Sequence, residues 1–578
     1  MNFLSALELI RCQVLDGTTP RKLFLACGFT PVYLPVFINA ELIALQPSRK
    51  NEIKSGLFGD LLGNVQRGRA SDCEALLVVV EWSDIDPRLG VRTLGGWRTS
   101  DLPSMLSAAE QQLARLCEAI AAAANTVPIA LSFPTLPLPP LFYARNIQAT
   151  AEQVRLQEIV GACEAHLVSL KNTRLVHSGS LLEASPFASR FDVKSEIVNG
   201  FPYSLSHAAV LADYLAALIA NPMPRKGLIT DLDDTLWGGV LGEVGVDGVS
   251  WSLDQQTHMH ALYQQFLASL ASAGTLIAVA SKNDPVLVNK AFARKDLFIS
   301  KDSIFPFEVH WNRKSDSVRR ILQDWNISPD AVIFIDDSPM EVAEVKAAFP
   351  EMECVIFPKE NFRAIWDLLR KLRNDFGKAL LSEEDTLRLE TLRNSKVVRQ
   401  SLASASNSDE FLKNVDARVV FASLKHRDDP RALELVNKTN QFNLNGKRLT
   451  EGEWSKYLAD PSAVALLIAY TDKFGPLGKI SVLLGRLTDE RIYVDCWVMS
   501  CRAFSRRIEH QCVKYLFAKY DVSEIIFDFK PTDRNGPLRE FFGELLGSAP
   551  SPHVTFSRAT CLERLPRLFH RVEETRDE

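Results

Sequence analysis

Two aspartates two residues apart, in Asp231-Leu232-Asp233-Asp234-Thr235, close the apolar run 227–231. Where a chain turns just after such a strand, both carboxylates leave its end towards one crevice. One can attack phosphorus, while the other donates a proton to the leaving oxygen and later activates water. Three further segments follow: Ala280-Ser281-Lys282-Asn283, Trp311-Asn312-Arg313-Lys314-Ser315 and Phe334-Ile335-Asp336-Asp337-Ser338-Pro339. Ser281 can hydrogen-bond a phosphoryl oxygen, and Lys314 can stabilise both the transferring group and the crowded carboxylates. A hard cation such as Mg²⁺ takes oxygen ligands, which Asp231, the backbone carbonyl of Asp233 and Asp336 can supply. A bare DxDxT is common in turns, so the order and strand context of all four segments carry this reading.

Those residues need strands that end at one place. The runs 227–231, 276–281 and 331–336 each finish in polar residues and are separated by helix-period segments. In a doubly wound sheet the crevice lies at the carboxyl ends of the strands, where Asp231, Ser281 and Asp336 fall. The separation of these motifs is that of a βαβ unit with little room for a lid domain. Upstream, the apolar runs 23–26, 75–80 and 128–132 alternate with helical stretches at 102–125 and 151–170, which predicts an α/β domain with a parallel sheet. Asn221-Pro222-Met223-Pro224 breaks the chain before the second domain. Residues 381–412 are charged and Ser-rich and read as an exposed helical connector. Beyond them, strands at 463–470, 479–484, 491–497 and 524–529, with helices at 504–520 and 538–546, predict an α+β unit. The expected architecture is α/β in three domains, 1–222, 223–380 and 381–578, in keeping with a chain of 578 residues.

Composition narrows the function classes. Lys+Arg at 66 against Asp+Glu at 71 gives a formal net charge of -5, without the basic excess of a nucleic-acid binder. The apolar stretch 127–142 is broken by Pro128, Pro134, Pro137, Pro139 and Pro140, which excludes a membrane helix. No signal-peptide pattern opens the chain, and the 10 cysteines are scattered without metal-ligand spacing. Reduced thiols in a cytoplasm are the expectation.

The four motifs together resemble the haloacid dehalogenase superfamily, whose members use an aspartyl-phosphate intermediate. The wording Asp231-Leu-Asp-Asp-Thr-Leu-Trp-Gly-Gly-Val-Leu-Gly, Ser281-Lys-Asn-Asp and Phe334-Ile-Asp-Asp-Ser-Pro is similar to the FkbH-like family of polyketide biosynthesis. Lys438-Thr-Asn-Gln-Phe-Asn-Leu444, Met499-Ser-Cys-Arg502 and Glu509 continue the resemblance, which covers about residues 225–545. It implies an enzyme that takes the glyceryl group of 1,3-bisphosphoglycerate, removes its phosphate and loads it as a thioester on the phosphopantetheine arm of an acyl carrier protein. It also implies Mg²⁺ as cofactor, a haloacid dehalogenase-type domain without a large cap, and an acetyltransferase-like carboxyl-terminal domain.

In that family the cysteine of the Met-Ser-Cys-Arg segment holds the acyl group, which selects Cys501. A thiol passes an acyl group to another thiol with little change in free energy. Arg502, Arg506 and Arg507 can lower its pKa or bind phosphate, and His510 is a candidate base; Cys496 and Cys512 have no such case. Asp337, Arg502, Glu509 and His510 are assigned to the surroundings of the two sites. FkbH-like relatives carry Gly where Ser505 stands, and the stretch 502–507 has no glycine, so use of coenzyme A is not expected. The amino-terminal region resembles the SGNH-hydrolase-like extension of longer relatives. The first strand leads into Cys27-Gly28-Phe29-Thr30 rather than a nucleophilic Ser, and Asp192 and His207 lack the compact Asp-x-x-His spacing. A non-catalytic docking domain is therefore expected. Two other readings remain: a magnesium-dependent phosphatase of a small phosphate ester with a structural third domain, and a scaffold that binds a carrier protein without catalysis.

Overall fold

The computed structural model describes residues 1–578 apart from 14–18, 93–95, 222–223, 379–380, 382–384, 386–387, 395–407, 426–428, 440, 501–502, 533–534 and 576–578. Residue contacts gather into two compact units, Met1–Pro222 with Leu449–Tyr457, and Met223–Arg448 with Leu458–Glu578.

The first unit is built on five parallel strands in the order Asn51–Ser55, Arg21–Cys27, Ala75–Val79, Ile129–Ser132, Thr173–Leu175. Ala75–Val79 and Ile129–Ser132 are buried along their whole length, as strands covered on both faces must be, and so read as unbroken apolar runs. Alternate side chains go to opposite layers. Leu76 and Val78 meet Leu113, Leu116 and Ile120 of the helix Leu102–Ala124, while Leu77 and Val79 meet Phe37, Ile38, Leu211 and Leu215 on the other face. Cys117 and Cys163, on Leu102–Ala124 and Ala151–Val168, form a disulfide with Cα atoms 6.3 Å apart. That corrects the expectation that all thiols are free: the pairing spans 46 residues and no local spacing signals it.

The second unit holds two large sheets. The first is wholly parallel, in the order Ile304–Val309, Leu276–Ser281, Gly227–Thr230, Val332–Asp336, Glu353–Ile356. The first strand in sequence lies at the centre and the chain then winds to either side, so the strand order reverses beside Gly227–Thr230. Ile277 and Val279 pack with Leu267 and Leu270 on one face, Ala278 and Ala280 with Val318, Ile321 and Trp325 on the other. Among the described residues no folded cap interrupts this domain: the longest helices between its strands, His258–Ser272 and Lys314–Trp325, both belong to these packed layers.

The other sheet runs Val554–Ser557, Glu524–Phe527, Arg491–Met499, Gly475–Thr488, Ala463–Asp472, Arg418–Ser423, Arg571–Glu574, with Phe442–Asn443 paired onto Val498 and Met499. Pairing is mixed, and the helix Ile508–Tyr520 lays Cys512, Val513 and Leu516 against it. The connector is less exposed than its charge implies. Most of 395–412 lies outside the described residues, but Asp385, Thr391 and Leu392 are buried, and Asp385 takes Lys378 Nζ and Arg388 Nη2 at 2.6 Å each.

Candidate active site

Asp231 directly follows Gly227–Thr230, and its N–H donates to Ile335 O of the neighbouring strand at 2.9 Å, which carries the sheet register on to Asp231. Ser281 ends Leu276–Ser281, Asp336 ends Val332–Asp336, and Lys314 opens the helix Lys314–Trp325 after Ile304–Val309. All four are buried. Lys314 Nζ lies 3.0 Å from Asp231 Oδ1 and 2.5 Å from Asp336 Oδ2, and the Ser281 hydroxyl bonds the Asp231 carboxylate. Asp336 Oδ1 accepts the N–H of Ser338, the cap of the helix Pro339–Ala348.

Electrostatics at this point are dominated by crowded acid. Asp231, Asp336 and Asp337 each present a carboxylate oxygen within 4.8 Å of the others. Burial pushes the Asp336 carboxyl up to about 7, with repulsion from Asp231 acting in the same direction. Burial likewise raises Asp231, against the pull of Lys314. Burial alone would lower Lys314, but Asp231 and Asp336 outweigh it and hold its ammonium above the ordinary lysine value. Although Lys314 Nζ is close, Asp231 Oδ1 is buried without a well-directed hydrogen bond. An all-oxygen set of three carboxylates around such an oxygen fits a hard divalent cation.

Asp233 stands apart from that trio. Its Oδ1 accepts Trp237 Nε1 at 3.0 Å and its Oδ2 accepts Asn283 Nδ2 at 2.9 Å. Burial pushes its carboxyl up to about 6, opposed by the Leu241 N–H and Trp237 and aided by Asp231 and Asp234. A carboxyl in that range carries a proton for part of the time near neutrality, as a general acid and base must. Asp234, at φ 51°, turns its Oδ1 to the Gly239 N–H at 2.7 Å and its Oδ2 to Lys359 Nζ at 2.7 Å. Lys359 also reaches Asp337 Oδ2 at 2.9 Å, so it ties the loop after Gly227–Thr230 to the loop after Val332–Asp336.

The structure therefore brings Asp231, Asp233, Ser281, Lys314, Asp336 and Asp337 to one crevice. The side chain of Asp233 is not part of the three-carboxylate group, leaving its backbone carbonyl as the oxygen to which a ligand role was assigned. Sequence reasoning did not find Lys359, Trp237 or Asn283. Trp237 and Asn283 lie inside the quoted motifs but carry no signal of what they touch; Lys359 follows the four-residue, only partly buried edge strand Glu353–Ile356, too short for its apolar residues to announce it.

Cys501 and Arg502 lie outside the described residues. Nearby, Ser505 adopts φ 65°, the left-handed region that glycine enters freely, so its backbone keeps the conformation that a Gly in relatives would suit. Arg506 is buried against Asp472 at 3.3 Å, and Arg507 Nη1 donates to Arg567 O. Glu509 and His510 open the helix Ile508–Tyr520; His510 Nδ1 lies 3.3 Å from Glu509 Oε1, and its ring meets Phe541 edge-on. Cys496 and Cys512 are buried in apolar surroundings that push both thiols up.

In the first unit, a Cβ at Gly28 would fall 1.7 Å from Asp84 Oδ1, so Asp84 fills the space beside the end of the first strand. Asp192 caps the helix Val193–Asn199 through Ser195 N. His207 is buried between Thr135 Oγ1 and Ser185 Oγ, each at 2.9 Å. Thr135 Oγ1 and Tyr203 OH donate in turn to Glu81 Oε1. These polar groups satisfy one another within the core.

No protein-family model matches the chain, and no curated protein matches it. Among solved structures, the chain is similar to the N-terminal part of the protein BF1531 from Bacteroides fragilis, described as containing a phosphatase domain complexed with Mg. The two are 18% identical at a TM-score of 0.52, over 66% of this chain and 100% of that one. At that identity the likeness shows a shared fold. A second solved chain is 13% identical over 35% of this one and 97% of its own length, at a TM-score of 0.21, and carries no argument. Among the described residues no helix is long and apolar enough to cross a membrane.

Proposed function

We propose that the chain is a Mg²⁺-dependent phosphatase of the haloacid dehalogenase type, with Asp231 as nucleophile. The observation that carries this is the convergence of Asp231, Ser281, Lys314, Asp336 and Asp337 at the carboxyl ends of parallel strands, with one oxygen of Asp231 free of a directed hydrogen bond. One carboxylate oxygen of Asp231 attacks phosphorus and the bond to the leaving oxygen breaks, that oxygen taking a proton from Asp233. Asp233, now a carboxylate, accepts a proton from water as the water oxygen attacks the phosphorus of the aspartyl-phosphate, releasing phosphate and restoring Asp231. Ser281 and Lys314 hold the phosphoryl oxygens. Asp231, Asp336, the Asp233 carbonyl and Asp337 would hold Mg²⁺, which when bound neutralises charge on the transferring group. Magnesium-dependent phosphate release that disappears in Asp231→Asn tests this; undiminished release by that variant would contradict it.

We further propose the fuller activity: a bifunctional enzyme of three domains, acting in the cytoplasm, that takes the glyceryl group of 1,3-bisphosphoglycerate, removes its phosphate and loads it on the phosphopantetheine thiol of an acyl carrier protein for polyketide or related biosynthesis. Cys501 would hold the glyceryl group as a thioester before the carrier thiol displaces it. The motif resemblance over 225–545 supports this reading, as does the uncapped crevice, which suits a substrate on a long arm. Cys501→Ala should abolish carrier acylation while phosphate release from a suitable substrate survives. Intact-mass analysis of enzyme and carrier after incubation with 1,3-bisphosphoglycerate reads both. Acylation by Cys501→Ala at the parent rate would make the third domain a platform only, and no acylation by the parent would leave the small-ester phosphatase.

A further inference from the structure

Asp233 is held on both of its oxygens by side chains from different loops. Trp237 Nε1 donates to Oδ1 at 3.0 Å from the segment after Gly227–Thr230, and Asn283 Nδ2 donates to Oδ2 at 2.9 Å from the segment after Leu276–Ser281. Neither donor is free to wander. Trp237 is fully buried and packs edge-on to Phe292, with centroids 5.8 Å apart. Asn283 is buried too, and its Oδ1 accepts the Asp284 N–H at 3.0 Å, which fixes the amide so that Nδ2 must face Asp233. Rotating Asp233 away would strand a buried indole N–H and a buried amide N–H without partners, a costly arrangement.

In a site that a cap closes over, closure can complete the orientation of the acid; here no folded cap lies among the described residues of the domain. We propose that Trp237 and Asn283 are positioning residues that fix the Asp233 carboxyl in its proton-delivering orientation, doing within the crevice what cap closure does elsewhere. The inference rests on the phosphatase reading. It concerns proton transfer to the leaving oxygen, so its effect depends on how much that oxygen needs a proton. An alkoxide leaves poorly unless protonated, whereas a nitrophenolate leaves without help.

The test compares kcat/KM, which reports events through formation of the aspartyl-phosphate, for a simple alkyl phosphate and for 4-nitrophenyl phosphate with magnesium present. Asn283→Ala should lose about 10- to 100-fold on the alkyl phosphate, the scale of a misplaced reacting group, and less than about threefold on 4-nitrophenyl phosphate. Trp237→Phe keeps an aromatic side chain in the buried slot but removes the indole N–H together with the pyrrole part of the ring, and it provides a second variant with the same selective loss. Circular dichroism confirms that each variant is folded. Equal losses on both substrates, or no loss in either variant, would overturn the inference while leaving the phosphatase reading intact. A parent without magnesium-dependent activity on either substrate would overturn both.

Discussion

Replacing Lys314 by Met removes one charge from the most crowded point of the crevice and keeps a stem of similar length. The ammonium contacts Asp231 Oδ1 at 3.0 Å and Asp336 Oδ2 at 2.5 Å, with all three groups buried. At an effective dielectric of about 20, the two contacts are worth roughly 5–7 kcal/mol of attraction each, and burying the ammonium costs several kcal/mol. The net expectation without magnesium is a destabilisation of about 3–5 kcal/mol, because two buried carboxylates then face each other uncompensated. For a unit of this size that lowers the unfolding midpoint by about 4–7 °C. Added magnesium should narrow the gap, since a dication held by Asp231 and Asp336 would supply the missing charge. Thermal unfolding of parent and variant followed by circular dichroism, in chelator and again in magnesium, measures both effects. A loss below about 1 kcal/mol, or a gap indifferent to magnesium, would refute this electrostatic reasoning.

Asp233→Asn should lower turnover of an alkyl phosphate by about 10²–10⁴-fold with the fold preserved, and a loss below about tenfold would remove Asp233 from proton transfer. Lys359→Met frees Asp234 and Asp337 from their shared tether, and magnesium affinity by isothermal titration calorimetry should weaken by about 10- to 100-fold; unchanged affinity would show that the tether is irrelevant to the metal. In the first unit, burial pushes the Glu81 carboxyl up from 4.5 to about 7, against donors from Thr135 and Tyr203. A carboxyl raised on folding contributes stability that is full below pH 4.5 and lost as pH rises to about 7, so the parent should lose about 3 kcal/mol across that interval. Glu81→Gln cannot titrate, so its stability deficit in urea should shrink from pH 5 to pH 8, and a constant deficit would place the proton elsewhere.

How far the fold could be read depended on burial. Leu276–Ser281 was legible to the residue because a strand covered on both faces is apolar throughout, and Val332–Asp336 nearly so. The edge strands gave no such signal. Ile304–Val309 contains Pro306, Glu353–Ile356 is half exposed, Asn51–Ser55 is polar, and Arg571–Glu574 is exposed along its length. The helix expected over 504–520 begins at Ile508, because Ser505 and Arg507 take left-handed backbone that no helical periodicity reports. At the crevice, residue types and order implied the chemistry of Asp231, Asp233, Ser281, Lys314 and Asp336. Contacts between side chains from separate loops, Asn283 on Asp233 and Lys359 on Asp337, exist only once the sheet has assembled.

The most direct measurement is to trap the covalent intermediate. Incubating the protein with magnesium and a phosphorylated substrate, then quenching with borohydride, reduces an aspartyl-phosphate to the corresponding alcohol, and peptide mass spectrometry finds the altered residue. Conversion at Asp231, absent without magnesium and absent in Asp231→Asn, is the expected result. Magnesium-dependent turnover with Asp231 unmodified, or with the label on another residue, would contradict the assignment of Asp231 as nucleophile.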